Sequence, residues 1–256
     1  MYLYVLEFHH AGSSLLCGIG VFSYSGGGIS NAGKSQLVSS ITGASPTVAE
    51  YPFTTRNTTP GMMEFENIQI QLIDTPPLIP QSIEPWFRHM LVRADGLLVV
   101  VDLGNAPLAQ IEAITTQLEN MKIGLGEKKT LIIGNKLDVE QSSENYIALK
   151  NKYNEQLPTV AISARAGAGL EELKREIYQM LNIIRVYTKA PGEKPDLTDP
   201  IILERGSTVA DAAADVHKDF AVKLKYARIW GSGKHDGLMV KRDHILQDGD
   251  VIELHM

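Results

Sequence analysis

The octet Gly28-Ile29-Ser30-Asn31-Ala32-Gly33-Lys34-Ser35 has the residue types and spacing of a phosphate-binding loop. Glycines at such positions let successive backbone N–H groups converge on phosphate oxygens, at the positive end of the helix that follows. Lys34 would reach the β- and γ-phosphates, and the Ser35 hydroxyl would bind Mg²⁺. Gly28, Ser30, Asn31, Ala32, Gly33 and Gln36 complete the expected cradle. Taken alone, an octet of this kind also occurs as a chance loop-to-helix turn.

A second motif narrows the chemistry. Asn135-Lys136-Leu137-Asp138 directly follows the apolar run at 130–134. A carboxylate at Asp138 can accept hydrogen bonds from guanine N1–H and the exocyclic amine. Adenine lacks that pair and would leave the carboxylate unmatched. Asn135 is expected to tie this loop to the phosphate loop, and Lys136 to lie over the base. Asp74-Thr75-Pro76-Pro77 follows a third run, where Asp74 is placed to hold Mg²⁺ through water. Ser163-Ala164 ends a fourth run and is expected to meet guanine O6 through backbone N–H groups. Four motifs in this order, each at the end of a strand-like run, imply a site for GTP or GDP with Mg²⁺.

The elements that must position these residues are readable in outline. Gly96–Asp102 and 130–134 are unbroken apolar runs, the pattern of parallel strands buried on both faces, and 159–163 is similar. Ile68–Ile73 alternates strictly and predicts a strand at a sheet edge. Helical spacing occupies 108–121 and 169–184, the second opening with Glu171 and Glu172 after Gly169. Alternating strands and helices predict an α/β fold with a doubly wound, mostly parallel sheet over 26–183. Ligands of such sheets sit beyond the carboxyl ends of the strands, where each motif falls. From 184 to 256 the pattern becomes a small mixed α+β unit, with strands near 185–189, 201–203, 225–230 and 251–255 and a helix near 208–216.

With these motifs in place, the chain resembles the Obg-like GTPases, and within them the Drg branch. Tyr51-Pro52-Phe53-Thr54-Thr55, followed by Pro60-Gly61, is similar to that group's switch I signature. The resemblance implies Thr55, or its neighbour Thr54, as a second Mg²⁺ ligand that senses the γ-phosphate. It also implies that Asn31 either holds K⁺, assisting Lys34 and Thr55 in catalysis, or serves as a loop-stabilising amide. Residues 184–256 resemble a TGS domain, a ubiquitin-like β-grasp module, through 185–189, 226–231 and 243–253. A GTPase domain running directly into a terminal TGS domain is the Drg arrangement. The interval from Asp74 to Asn135 is too short for the domain that Drg proteins insert there. The resemblance implies ribosome or RNA as partner, a cytoplasmic location and the function of a slow GTPase switch. The alternative is a non-catalytic nucleotide-binding scaffold whose TGS domain docks a protein or small ligand.

Three departures bear on hydrolysis. Pro77 stands where a glycine usually donates its N–H to the γ-phosphate, and proline has no N–H. Leu78 stands where Ras-like enzymes have a glutamine that orients water, so intrinsic hydrolysis is expected to be slow. Tyr24-Ser25-Gly26-Gly27 makes a poor buried strand before the loop. Either the first strand lies at 19–24 with a longer loop after it, or residues 1–25 are atypical.

Bulk composition excludes several other classes. The 256 residues are 44% hydrophobic and 21% charged, ordinary for a globular protein. A net charge of −6 argues against binding built on phosphate neutralisation, and no sequence-specific DNA contact is expected. From 184 onward, 11 Lys/Arg face 12 Asp/Glu, so the second unit has no overall basic stripe. One cysteine, Cys17, excludes an intramolecular disulfide. No apolar run approaches the ~20 residues that span a bilayer, and no basic residue precedes 15–22 as in an export signal. His9-His10 reads as incidental.

Overall fold

The computed structural model describes residues 18–22, 33–42, 60–73, 85–153, 155–233 and 235–256. They form two compact units, the first ending at Leu181 and the second including Asn182–Met256.

The first unit is built on strands β1 (Gly18–Phe22), β2 (Pro60–Phe65), β3 (Ile68–Ile73), β4 (Gly96–Asp102), β5 (Thr130–Asn135) and β6 (Thr159–Ala161). Their order across the sheet is β2-β3-β1-β4-β5-β6. The pairs β1–β3, β1–β4, β4–β5 and β5–β6 are all parallel. Helices α1 (Lys34–Thr42), α2 (Pro85–Arg93), α3 (Pro107–Asn120), α4 (Ser142–Tyr153) and α5 (Leu170–Leu181) connect them. Helix α1 packs with α5, and α3 with α4.

Every residue of β4 and β5 is buried, as their unbroken apolar runs require. β1 lies between β3 and β4, the point at which successive connections turn in opposite directions across the sheet. Ligand crevices of open α/β sheets form at such a point. The first strand, expected at 19–24 unless residues 1–25 are atypical, occupies Gly18–Phe22.

Two expectations need correction. β3 is not an edge strand: β2 flanks it on one side and β1 on the other. Its alternation therefore does not divide a wet face from a dry one, since only Gln69 is exposed and Gln71 is buried. The helix expected to reach 184 stops at Leu181. Asn182 takes a left-handed conformation at φ 53°, which asparagine tolerates better than most residues, and Ile183 opens the next strand.

The second unit contains β7 (Ile183–Thr188), β8 (Ile201–Glu204), β9 (Tyr226–Trp230), β10 (Leu238–Val240) and β11 (Asp250–His255). They form one sheet of order β10-β9-β11-β7-β8, in which β11 runs parallel to β7 and the other pairs are antiparallel. Helices α6 (Val209–Val216) and α7 (Lys218–Lys223) complete the unit. Val209, Ala212 and Ala213 of α6 share a core with Ile184, Val186, Ala227, Ile229 and Ile252. Thr208 starts α6 with a capping box: its hydroxyl accepts from the Asp211 N–H, and the Asp211 carboxylate accepts from the Thr208 N–H at 2.7 Å.

The return into β11 is organised by Asp250, which is 1% exposed. Its carboxylate accepts from the Ser232 N–H at 2.7 Å, the Ser232 hydroxyl at 2.8 Å and the Gln247 N–H at 2.7 Å. Gly231, at φ 121°, has no room for a side chain: a Cβ would lie 2.7 Å from an Asp250 oxygen. Asp250→Ala removes the shared acceptor of three donors. It is expected to destabilise this unit by about 2 kcal/mol, as the loss of part-buried hydrogen bonds to a charged acceptor allows. Chemical denaturation of the full chain checks this, and a loss below about 1 kcal/mol would contradict it.

Candidate functional site

β5 delivers Asn135 to the carboxyl edge of the sheet, where it is 2% exposed. Its carbonyl accepts from the Leu103 N–H at 2.9 Å, fixing the loop after β4 beside it. Its side-chain Oδ1 accepts from the Ala164 N–H at 3.0 Å. On its other side stands Gly33, at φ 76°, where a Cβ would lie 2.6 Å from Asn135 Nδ2. Glycine satisfies both demands, a left-handed backbone and room for the amide. One buried side chain thus brings together the end of the phosphate loop, the 135–138 turn and the loop after β6.

Lys136 follows at φ 67°, and its Nζ lies 2.6 Å from Asp102 Oδ2. Its head is thus paired with the last residue of β4. Asp102 carries no motif and was not singled out from the sequence. The available signal was an acid closing an otherwise apolar strand, GLLVVVD, immediately beside β5.

Asp138 is exposed. Its Oδ1 accepts from the Ser163 hydroxyl at 2.5 Å. That hydroxyl holds the carboxyl below its ordinary value, helped by the residue's own backbone N–H and by the charges of Arg165 and Lys136. The turn itself is pinned from both ends. The Leu137 N–H donates to the Ile162 carbonyl at 2.9 Å, and the Ser142 hydroxyl donates to the Leu137 carbonyl at 2.7 Å. An ionised carboxylate, oriented and open to solvent, is what recognition of a paired N–H edge requires.

The loop after β6 is internally bonded. The Ser163 N–H donates to the Ala168 carbonyl at 3.0 Å, and the Gly167 N–H returns to the Ser163 carbonyl at 2.8 Å. The Ser163 hydroxyl also accepts from the Ala166 N–H at 3.0 Å. Gly169, at φ 75°, passes so close to β6 that a Cβ would sit 2.6 Å from the Ala161 carbonyl oxygen. Ser163 serves this loop in two ways. Its N–H is engaged within the loop, and its hydroxyl orients Asp138. The Ala164 N–H likewise has Asn135 as an acceptor here.

Helix α1 begins at Lys34 and Ser35 and has no acidic residue in its first turn, which suits an anion at its N-terminus. The Leu37 N–H bonds to the Gly33 carbonyl at 2.8 Å. Further along, the Ser40 hydroxyl lies 3.1 Å from the Ala164 carbonyl, tying α1 to the loop after β6. Gln36 is exposed. Gly28, Ser30, Asn31, Ala32, Thr54, Thr55, Asp74, Pro77 and Leu78 lie outside the described residues, as do His9, His10 and Cys17. Among the described residues there is no cluster of His, Cys, Asp and Glu able to hold a metal ion, and no helix long and apolar enough to cross a membrane.

The parallel sheet, the helix α1 that follows β1 and the Gly33–Asn135–Ala164 junction are the framework of a P-loop nucleotide-binding protein. Known proteins place it further. Residues 27–136 match the family described as 50S ribosome-binding GTPase, and residues 184–256 match the TGS domain. An uncharacterized GTP-binding protein of Methanocaldococcus jannaschii is 28% identical over 299 residues, covering 89% of this chain and 76% of the relative. Developmentally-regulated GTP-binding protein 1 of Xenopus laevis is 28% identical, covering 89% of this chain and 80% of its own. Ribosome-interacting GTPase 1 of Saccharomyces cerevisiae is 29% identical, with coverage of 92% and 82%. The 299-residue span exceeds the 256 residues of this chain, so that relative carries segments inside it that are missing here. Among solved structures, the YchF GTPase of Schizosaccharomyces pombe superposes with a TM-score of 0.64 at 12% identity, covering 98% of this chain and all of that one. The chain is thus similar to the GTP-binding proteins of the Drg type, with a stretch that matches a GTPase family followed by one that matches the TGS domain.

Proposed function

We propose that this chain binds GTP and GDP with Mg²⁺, hydrolyses GTP slowly, and acts in the cytoplasm as a ribosome- or RNA-associated switch. The observation that carries the nucleotide half is the Asp138 carboxylate, oriented by the Ser163 hydroxyl, together with the Gly33–Asn135–Ala164 junction. In this reading Gly28, Ser30, Asn31, Ala32, Gly33, Lys34, Ser35 and Gln36 surround the phosphates. Asn135, Lys136, Asp138, Ser163 and Ala164 form the base end. Ser35, Thr55 and Asp74 would hold Mg²⁺, which supplies charge neutralisation between the β- and γ-phosphates. The partner half is supported by the name of the yeast relative and by the description of the matching family. The proposed boundaries are 1–25 for an atypical leading segment, 26–183 for the GTPase domain and 184–256 for the TGS domain.

Catalysis in this scheme rests on positioning and charge. Lys34 would neutralise the β- and γ-phosphates, and Thr55 would close over the γ-phosphate through Mg²⁺. Asn31 would hold K⁺ where other GTPases use an arginine finger. Leu78 supplies no group to orient water, so the intrinsic rate is low. Single-turnover hydrolysis is therefore expected to rise about tenfold or more when K⁺ replaces Na⁺, as an added transition-state charge contact allows. Equal rates in both salts would remove Asn31 from the scheme. Pro77, in place of the usual glycine, favours a second reading in which nucleotide is retained without turnover. Bound GTP that persists unhydrolysed in both salts would decide for that reading.

A further inference from the structure

We propose that Asp102, the last residue of β4, is a positioning residue for guanine-nucleotide binding, acting by anchoring the head of Lys136. The inference rests on the base-end reading above and adds a residue to it.

Asp102 is held from every side before it meets the lysine. Its N–H donates to Gln110 Oε1 at 3.0 Å, and its carbonyl accepts from Gln110 Nε2 at 3.1 Å. Gln110 is itself 5% exposed, and Nε2 also reaches the Asn105 carbonyl. The first turn of α3 thus clamps the end of β4 as a strand neighbour would. The carboxylate is divided in function. Oδ1 accepts from the Gly104 N–H at 2.9 Å, which fixes its plane. Oδ2 faces Lys136 Nζ at 2.6 Å.

The pair is asymmetric in burial. The Asp102 side chain is 9% exposed and the Lys136 side chain 35%. A rigid buried anion therefore holds a cation that could otherwise move into water. Lys136 has a left-handed backbone and stands between Asn135, which contacts Gly33, and the Asp138 turn. With its head fixed at the end of β4, its four-carbon stem has a defined course along the base end of the site. Without that anchor, the stem would have to be ordered when nucleotide binds, which weakens affinity mainly through faster release.

Asp102→Asn isolates this effect. The asparagine carbonyl can still accept from the Gly104 N–H, while its NH₂ group faces the ammonium donor to donor and turns Lys136 away. In the full chain with Mg²⁺, release of a fluorescent GDP analogue is expected to be about tenfold faster, as loss of one charge-assisted contact allows. The nucleotide-free melting temperature should stay close to that of the parent chain. Lys136→Met should accelerate release similarly, and the double variant should release no faster than Lys136→Met alone. Should Asp102→Asn fail to fold, Asp102→Ser keeps an acceptor beside Gly104 and removes the charge. Unchanged release in the folded variant, or effects that add in the double variant, would overturn the proposal. Asp138→Asn, measured in parallel, separates this failure from failure of the base assignment. If that variant loses GDP while Asp102→Asn does not, only the anchoring role of Asp102 falls.

Discussion

Asp138→Asn is expected to weaken GTP and GDP binding by two to three orders of magnitude and to shift preference towards xanthine nucleotides. Two hydrogen bonds from the guanine edge end on this carboxylate in the proposed pose. Bonds to a charged group contribute about 1.5–3 kcal/mol each, so losing both is a loss of that order in affinity. The amide reverses the pattern, offering a donor where xanthine presents a carbonyl. Competition between GTP and XTP on the purified variant checks this, and unchanged GTP affinity would refute the role of Asp138. The carboxylate also has a defined pH behaviour. Its folded value lies below the ordinary 3.8, chiefly through Ser163, so it contributes as an anion above that value and loses this only as pH falls through the lowered one. Guanine affinity should accordingly be flat from neutral pH down to about 5. In Ser163→Ala the decline should begin at higher pH.

Asn135→Ala should have the second largest effect, and for a different reason. The side chain is 2% exposed, bonds the Ala164 N–H and packs its amide against Gly33. Truncation leaves a buried donor unmatched and opens a gap where three loops meet. A destabilisation of about 2–3 kcal/mol is expected, from the penalty of an unsatisfied buried group together with lost packing. Nucleotide binding should fall with it, since the phosphate end and base end lose their common support. Thermal melting with and without GDP measures both. A variant that melts like the parent chain and binds GDP equally well would show that Asn135 is not the junction.

These effects concentrate on residues whose motifs are visible in the sequence, and the reason is physical. β4 and β5 are buried on both faces, so their apolar runs have no alternative reading, and the polar residues that follow must lie at the sheet's edge. Where burial is uneven the sequence is less explicit. Gln71 is buried although it occupies a polar position of IQIQLI, and only Gln69 of this strand meets solvent. Helix α4, SSENYIALKNKY, buries only Ser142 and Leu149, too narrow a stripe to register as an amphipathic pattern. α5 ran on in the sequence because Leu181 is followed by Ile183 and Ile184. Both isoleucines belong to the next strand, and Ile184 packs in a different core, reached through the left-handed Asn182.

The site was legible to a similar degree. Gly33, Asn135 and Ala164 come together in the structure, and the Asp138 carboxylate is oriented by the Ser163 hydroxyl. What the motifs did not contain is the support beneath them. Asp102 and Gln110 act through contacts across 34 and 8 residues of sequence respectively, and neither belongs to a repeating pattern. The hydroxyl of Ser163 was likewise invisible, because it meets Asp138 across 25 residues of sequence.

The central claim is that this chain selects guanine through an oriented carboxylate. Calorimetric titration of the nucleotide-free chain with GDP and with ADP, in Mg²⁺ and K⁺, tests it most directly. GDP should bind with a single site per chain and at least a hundredfold more tightly than ADP, the discrimination expected when a mismatched base leaves a charged acceptor unsatisfied. Equal affinity for the two nucleotides, or tighter binding of ADP, would contradict it.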